Sequence, residues 1–213
     1  MRVVVYGSRP DGHARVIIEL FGDRFDIVGL LDDRKENAGR TIAGLRVIGG
    51  RERLRDLVND GIEGVLLGFG GPKNRLAIIA AIRRAGLALP SCIHDAAYVA
   101  PSARFGAGTQ ALPGTTLGPG CEVGEGVLIN AGAIVAHDVV VSDAAVVNPA
   151  AVLTGRSVVG AESEIGAGAV LLPDVRVGRS VTIGAGAVVT RDVADGITVT
   201  GIPARPLDAE TAR

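Results

Sequence analysis

Aromatic residues make up only 3% of this 213-residue chain, which also holds just two cysteines and three histidines. So few large rings exclude a core built on stacked aromatics. The interior must instead be packed from small and β-branched side chains in regular layers. Cys92 and Cys121 are too few for a disulfide framework, and a reducing cytoplasm is the economical expectation. Charge imbalance is also missing. A net charge of −1 gives no electrostatic case for nucleic acid or an anionic membrane as partner. No uninterrupted apolar run reaches bilayer-spanning length. Met1 runs directly into the strand-like Arg2–Tyr6, so no signal peptide is expected at the start.

What the chain does have is glycine, 31 of them, and two halves with different periods. Up to about residue 90, strand-like and helix-like segments alternate. Arg2–Tyr6 reads as a buried strand, followed by the loop Gly7–Gly12 and a helix over His13–Phe21. Asp26–Leu31 is a second strand ending at Asp32-Asp33, Arg51–Asn59 has helical character, Gly64–Phe69 is a third strand, and Pro72–Ala85 reads as a helix opened by proline. This alternation predicts a small parallel, Rossmann-like α/β sheet over residues 1–90.

From Ile93 the period becomes six. Every sixth residue from Ile93 through Val135 to Val189 is apolar, seventeen in all, and only Phe105 and Ala111 are not branched aliphatics. A small residue mostly follows four places later, as at Ala103, Cys121, Ala145 and Ser163. Glycine often follows directly, as at Gly106, Gly118, Gly124 and Gly160. Three hexapeptides close one triangular coil of a parallel β-helix, with the branched residue inward and stacked on its counterpart one coil away. Residues 93 to about 195 are therefore expected to hold five to six coils of an all-β helix, within a domain of residues 91–213 that ends in a C-terminal tail. The small residues and glycines should sit at the corners, where bulk or the wrong φ would clash. A β-sandwich would need period-two alternation and hairpin turns, and neither is present.

Several elements then carry a resemblance over nearly the whole chain: Gly12-His13-Ala14, Leu31-Asp32-Asp33, Gly70 with Asn74-Arg75, Cys92-Ile93-His94, Asn130 through Ala136-His137-Asp138, and Gly201-Ile-Pro-Ala204. The chain resembles the hexapeptide-repeat acyltransferases, whose β-helix is left-handed. Within them it resembles the sialic-acid O-acetyltransferase (NeuD/PglD-type) family, which includes bacterial N-acetyltransferases acting on UDP- or GDP-linked 4-amino-4,6-dideoxy sugars in glycan biosynthesis. The resemblance implies acetyl-CoA as co-substrate, a nucleotide-sugar substrate, no metal, and a homotrimer with active sites shared between subunits. The flat faces of the β-helix suit such a three-fold assembly.

By that resemblance His137 matches the general base, a task neutral imidazole suits near pH 7. It lies two residues after an inward position and is expected on a coil side, projecting outward. Asp138 matches the partner that fixes the imidazole tautomer, with a solvated carboxylate as the alternative. Gly155, Ala167 and Ala185 match acetyl-CoA positions in the same hexapeptide phase, where small side chains admit a pantetheine arm and backbone N–H groups face the thioester oxygen. Val146 stands where many members carry a second histidine, and Asn148 is the nearby hydrogen-bonding substitute. For the nucleotide sugar the candidates are Gly12 and His13 at a helix start, Asp32 and Asp33 at a strand end, and Arg75 toward a phosphate, against a plain helix-surface arginine. Arg9-Pro10 reads as an insertion in the first loop, and His94 as structural.

Rival readings remain open on this sequence. A γ-type carbonic anhydrase needs three histidines around zinc, and His13 lies in the other half. An oxidoreductase finds no hydride-transfer site in the β-helix. Sugar O-acetylation, and a non-catalytic nucleotide-sugar-binding protein with a decayed site, are the two readings that compete with N-acetylation.

Overall fold

The computed structural model describes residues 1–7 and 12–207. They divide into two compact units: Met1–Gly70 with Asn74–Ser91, and Gly71–Lys73 with the chain from Cys92 onward.

The first unit is a five-stranded sheet in the order β3-β4-β2-β1-β5, from β1 (Arg2–Tyr6), β2 (Asp26–Leu31), β3 (Thr41–Ile42), β4 (Leu45–Gly49) and β5 (Gly64–Leu67). β1 lies parallel to both β2 and β5, and β4 adds parallel to β2. Val3, Val4 and Val5 are all fully buried, which is why β1 is a continuous apolar run: a parallel strand covered on both faces has no polar side. α1 (His13–Phe21) turns Ala14, Ile17 and Phe21 into that core at helical spacing.

Two local expectations need correction. The helix expected over Pro72–Ala85 begins only at Arg75 and runs to Arg84 as α3, because Asn74 is left-handed (φ 64°) and cannot join a helical turn. Arg51–Asn59 is not one helix but a 3-10 turn at Arg51–Arg53, then the four-residue α2 (Leu54–Leu57). The β3–β4 hairpin was not foreseen. It turns through Ala43 and Gly44, both at positive φ, and Ala-Gly lacks the Asn-Gly or Asp-Gly signal that usually marks such a turn.

The second unit is a left-handed parallel β-helix. Three sheets form its flat faces. The strands from Cys92–Ile93 belong to the eight-stranded sheet, those from Tyr98–Val99 to a six-stranded one, and those from Arg104–Phe105 to a five-stranded one. Strands pair in register one coil apart, as Leu117↔Val135 and Val135↔Leu153 show, so like stacks on like. From Ala111 onward the inward residues form one continuous buried column; in the first coil Ile93 and Val99 are partly buried and Phe105 remains 41% exposed.

The structure also revises why glycine follows the inward residue. Gly118 and Gly160 do not adopt positive φ. A Cβ on Gly118 would stand 2.7 Å from the Ala136 carbonyl carbon, and on Gly160 would run into the Gly178 carbonyl oxygen of the next coil. Glycine there is a matter of space. The left-handed residue comes two places later, and the chain accepts it at Asp138, Arg156 and Asp174 as well as at glycines.

Candidate active site

His137 and Asp138 occupy the two-residue turn between half-buried Ala136, which follows buried Val135, and buried Val139. They therefore stand at a corner, joining the Tyr98 face to the Arg104 face, and not on a coil side. The strand residues flanking the turn are committed inward, so the corner pair is pushed out, with side chains 53% and 62% exposed. Its backbone is held from both neighbouring coils. The Asp138 N–H donates to the Pro119 carbonyl at 2.9 Å, and the His137 carbonyl accepts the Arg156 N–H at 3.1 Å.

On this fixed backbone His137 Nδ1 lies 2.9 Å from Asp138 Oδ2. An ionised carboxylate only accepts, so Nδ1 carries the proton and Nε2 presents its lone pair. Two glycines one coil away make room for the pair. A Cβ on Gly155 would meet His137 Nε2 at a distance no real contact allows, and a Cβ on Gly120 would stand 2.6 Å from Asp138 Oδ1. The imidazole thus lies over Gly155 and the carboxylate over Gly120. An oriented imidazole with a free Nε2 at an exposed edge is equipped to take a proton from an attacking nucleophile.

The same corner continues one coil onward in Arg156, whose guanidinium forks onto Asp174 at 2.7 and 2.8 Å. Neither residue was singled out from the sequence. The available signal is the eighteen-residue stagger that aligns Gly120, Asp138, Arg156 and Asp174.

Ala167 and Ala185 share the hexapeptide phase of His137, but every third hexapeptide returns to the same corner and these fall on another. They sit where the eight-stranded face meets the Tyr98 face, so one chain does not bring them to His137 and Gly155. There they form a smooth edge among Gly166, Gly168, Gly184 and Gly186. Among the described residues their own N–H groups have no acceptor. Val146 is fully buried, and Asn148 Nδ2 donates to Glu164 Oε1 at 2.9 Å. His94 accepts the Ala96 N–H on Nδ1 at 3.0 Å, as a turn-forming residue does.

In the first unit Gly12 caps α1 and half-buried His13 is its first residue. The Arg9-Pro10 insertion lies outside the described residues. Asp32 is nearly saturated, accepting from the backbone and guanidinium of Arg34 and from Asn37. Asp33 accepts from Tyr6 Oη at 2.6 Å and from Arg51. Burial pulls the Asp33 carboxyl upward, but the hydrogen bonds from Arg51 and Tyr6 outweigh it and hold it below the usual carboxylate range. Arg75 is the clear correction. It is neither on a helix surface nor open to a phosphate, being fully buried with its guanidinium on the Phe69 carbonyl (2.7 Å) and 5.1 Å from the Phe69 ring centroid. Burial pushes it down to about 9. Among the described residues no three His, Cys, Asp or Glu side chains gather as metal ligands.

A small parallel-sheet unit followed by a β-helix bearing a corner His-Asp pair defines a hexapeptide-repeat acyltransferase. The PglD N-terminal domain family matches residues 2–82 and the bacterial transferase hexapeptide family matches residues 156–191. The acetyltransferase domain of PglB from Neisseria gonorrhoeae, solved with acetyl coenzyme A, is 34% identical. It aligns over 97% of this chain and 98% of its own, with a TM-score of 0.88. A mutant of GDP-perosamine N-acetyltransferase from Caulobacter crescentus, solved with CoA and GDP-perosamine, is 30% identical over 98% and 97%, with a TM-score of 0.91. WeeI from Acinetobacter baumannii, 23% identical over 97% and 100% with a TM-score of 0.81, shares the fold. No curated protein sequence matches. The chain belongs to the NeuD/PglD-type family of hexapeptide-repeat acyltransferases.

Proposed function

We propose that this protein is an N-acetyltransferase that moves an acetyl group from acetyl-CoA to the amine of a nucleotide-linked aminosugar in bacterial glycan biosynthesis. The observation that carries the reading is His137, oriented by Asp138 and seated over Gly155, in a chain that aligns end to end with acetyltransferases solved with acetyl-CoA and with CoA and GDP-perosamine. His137 Nε2 takes the proton as the sugar amine attacks the thioester carbonyl. The new bond is the amide C–N, the bond broken is C–S, and CoA departs as thiolate. Backbone N–H groups at Ala167 and Ala185 serve the pantetheine arm. Gly12, His13 and the outer edge of Asp33 serve the nucleotide sugar, while Asp32 and Arg75 hold the first unit together.

The acting unit is a homotrimer in this reading. The face between the His137 corner and the Ala167–Ala185 corner carries an outward apolar stripe: Tyr98 (58% exposed), Ile134 (39%), Val152, Val170 and Val188. Such a stripe on a soluble surface marks an interface. Three copies turning this face to a common axis set the His137 corner of each against the alanine corner of the next. That completes a site which one chain leaves divided. A cytoplasmic location is supported by two buried cysteine thiols, and no helix is long and apolar enough to cross a membrane among the described residues.

The test is CoA release from acetyl-CoA with UDP-, GDP- and dTDP-linked 4-amino-4,6-dideoxy sugars, alongside His137→Ala. Turnover of one aminosugar, lost in the variant, is expected. Activity only on a sialic-acid hydroxyl would move the reaction to O-acetylation, and silence on every acceptor would mean a decayed site. Sedimentation at other than three times the 21.6 kDa chain mass would remove the trimer.

A further inference from the structure

Asp138, Arg156 and Asp174 occupy the same position of three successive coils at one corner, with φ of 56°, 62° and 64°. Strands of adjacent coils are ~4.8 Å apart, so the three side chains form a short ladder of alternating sign on the edge that carries His137. Arg156 has a carboxylate on either side. In the structure it gives both ends of its fork to Asp174, and Asp138 keeps Oδ2 for His137 Nδ1. Glycines make room for the ring and carboxylate of the base pair; at this corner the coil before it carries Pro119 and Gly120, with exposed Glu122 the first charge beyond them, on the strand that pairs with Val140. On the far side, Asp174 also faces Arg176, whose N–H is held by Asp192.

We propose that Asp174 is a positioning residue for the base: it holds the Arg156 guanidinium off Asp138 and so reserves the Asp138 carboxylate for His137. This rests on His137 being the base. The competition is lopsided if Asp174 is removed. A guanidinium offers a carboxylate two charge-assisted hydrogen bonds, whereas a neutral imidazole offers one uncharged N–H. Arg156, left with Asp138 as its only neighbouring carboxylate in the ladder, captures it. His137 then loses the acceptor that fixes its tautomer and ring orientation.

The test is kcat against KM for Asp174→Asn, a substitution that keeps a residue tolerant of the left-handed backbone. The value of kcat should fall about tenfold, a size fitting a solvent-exposed pair. Adding Arg156→Gln to Asp174→Asn removes the competitor, so kcat should return toward wild type. KM for acetyl-CoA should stay within about twofold throughout, since the ladder acts through His137. A wild-type kcat in Asp174→Asn overturns the proposal, and so does a loss that Arg156→Gln fails to rescue, which is what a merely structural ion pair would give. Full activity in His137→Ala would instead sink the function proposed above.

Discussion

Gly155→Ala tests how the base is seated. The glycine has an ordinary φ, so alanine is tolerated by the backbone and should even gain some tenths of a kcal/mol from a less flexible unfolded chain. Its methyl, however, would have to occupy space held by the His137 ring. The clash falls on Nε2 and Cε1, with Cδ2 at 3.1 Å, where ordinary contact begins at 3.4 Å. The ring must retreat by ~1 Å, and being half exposed it can do so without disturbing the core. Retreat swings Nδ1 off Asp138 and moves Nε2 from the place where the nucleophile's proton is presented. A misplacement of ~1 Å at a reacting group costs on the order of a hundredfold in rate. The expected result is kcat about a hundredfold lower, KM for both substrates within about twofold, and a melting temperature within about 2 °C of wild type. In a His137→Ala background the same substitution should do almost nothing, because the group it displaces is gone. The contrary outcome is a raised KM for acetyl-CoA at unchanged kcat. That would mean the glycine serves the pantetheine arm, as its family position implies, and not the imidazole.

Other substitutions probe the fold. Gly160→Ala should destabilise by about 3 kcal/mol or more, since its methyl meets backbone that cannot yield, while Gly168→Ala, left-handed but with nothing within 4 Å, should cost about 1 kcal/mol; equal losses in denaturant unfolding would contradict the division between space and φ. Ser157 is fully buried with an Oγ that has no hydrogen-bond partner among the described residues, so Ser157→Ala should be neutral or stabilise by about 1 kcal/mol, and a clear loss in urea midpoint would show a further partner. Asp33 has a depressed folded-state pKa, so its stabilising share is full above the unfolded value of about 4 and is lost as pH falls through the lower folded value. Stability followed by denaturant titration should therefore decline below pH ~4 in wild type, less steeply in Asp33→Asn.

How much of this was legible in the sequence depends on how each feature is encoded. The six-residue period reads easily because every coil repeats the same demand: a branched side chain to fill the column, and a small one where coils approach. His137 and Asp138 were legible through motif resemblance. Their geometry was not, because it depends on Gly120 and Gly155, which lie eighteen residues either side and look like any other glycine in this composition. The phase argument also misled in one respect. Position within a hexapeptide put His137 outward on a coil side, whereas the strands place it at a corner, and only counting strands by threes shows that it shares that corner with Gly155 and not with Ala167 or Ala185. In the first half, single residues decide. Left-handed Asn74 delays α3, Ala43-Gly44 makes a turn no propensity flags, and Arg75 is drawn inward by the Phe69 carbonyl and ring, against the preference of arginine for water. A repeat is written many times and survives misreading at any one place, whereas a site is written once, across coils. What joins its parts is spatial stagger. An eighteen-residue offset should therefore be applied to any corner histidine in such a chain before its neighbours in sequence are consulted.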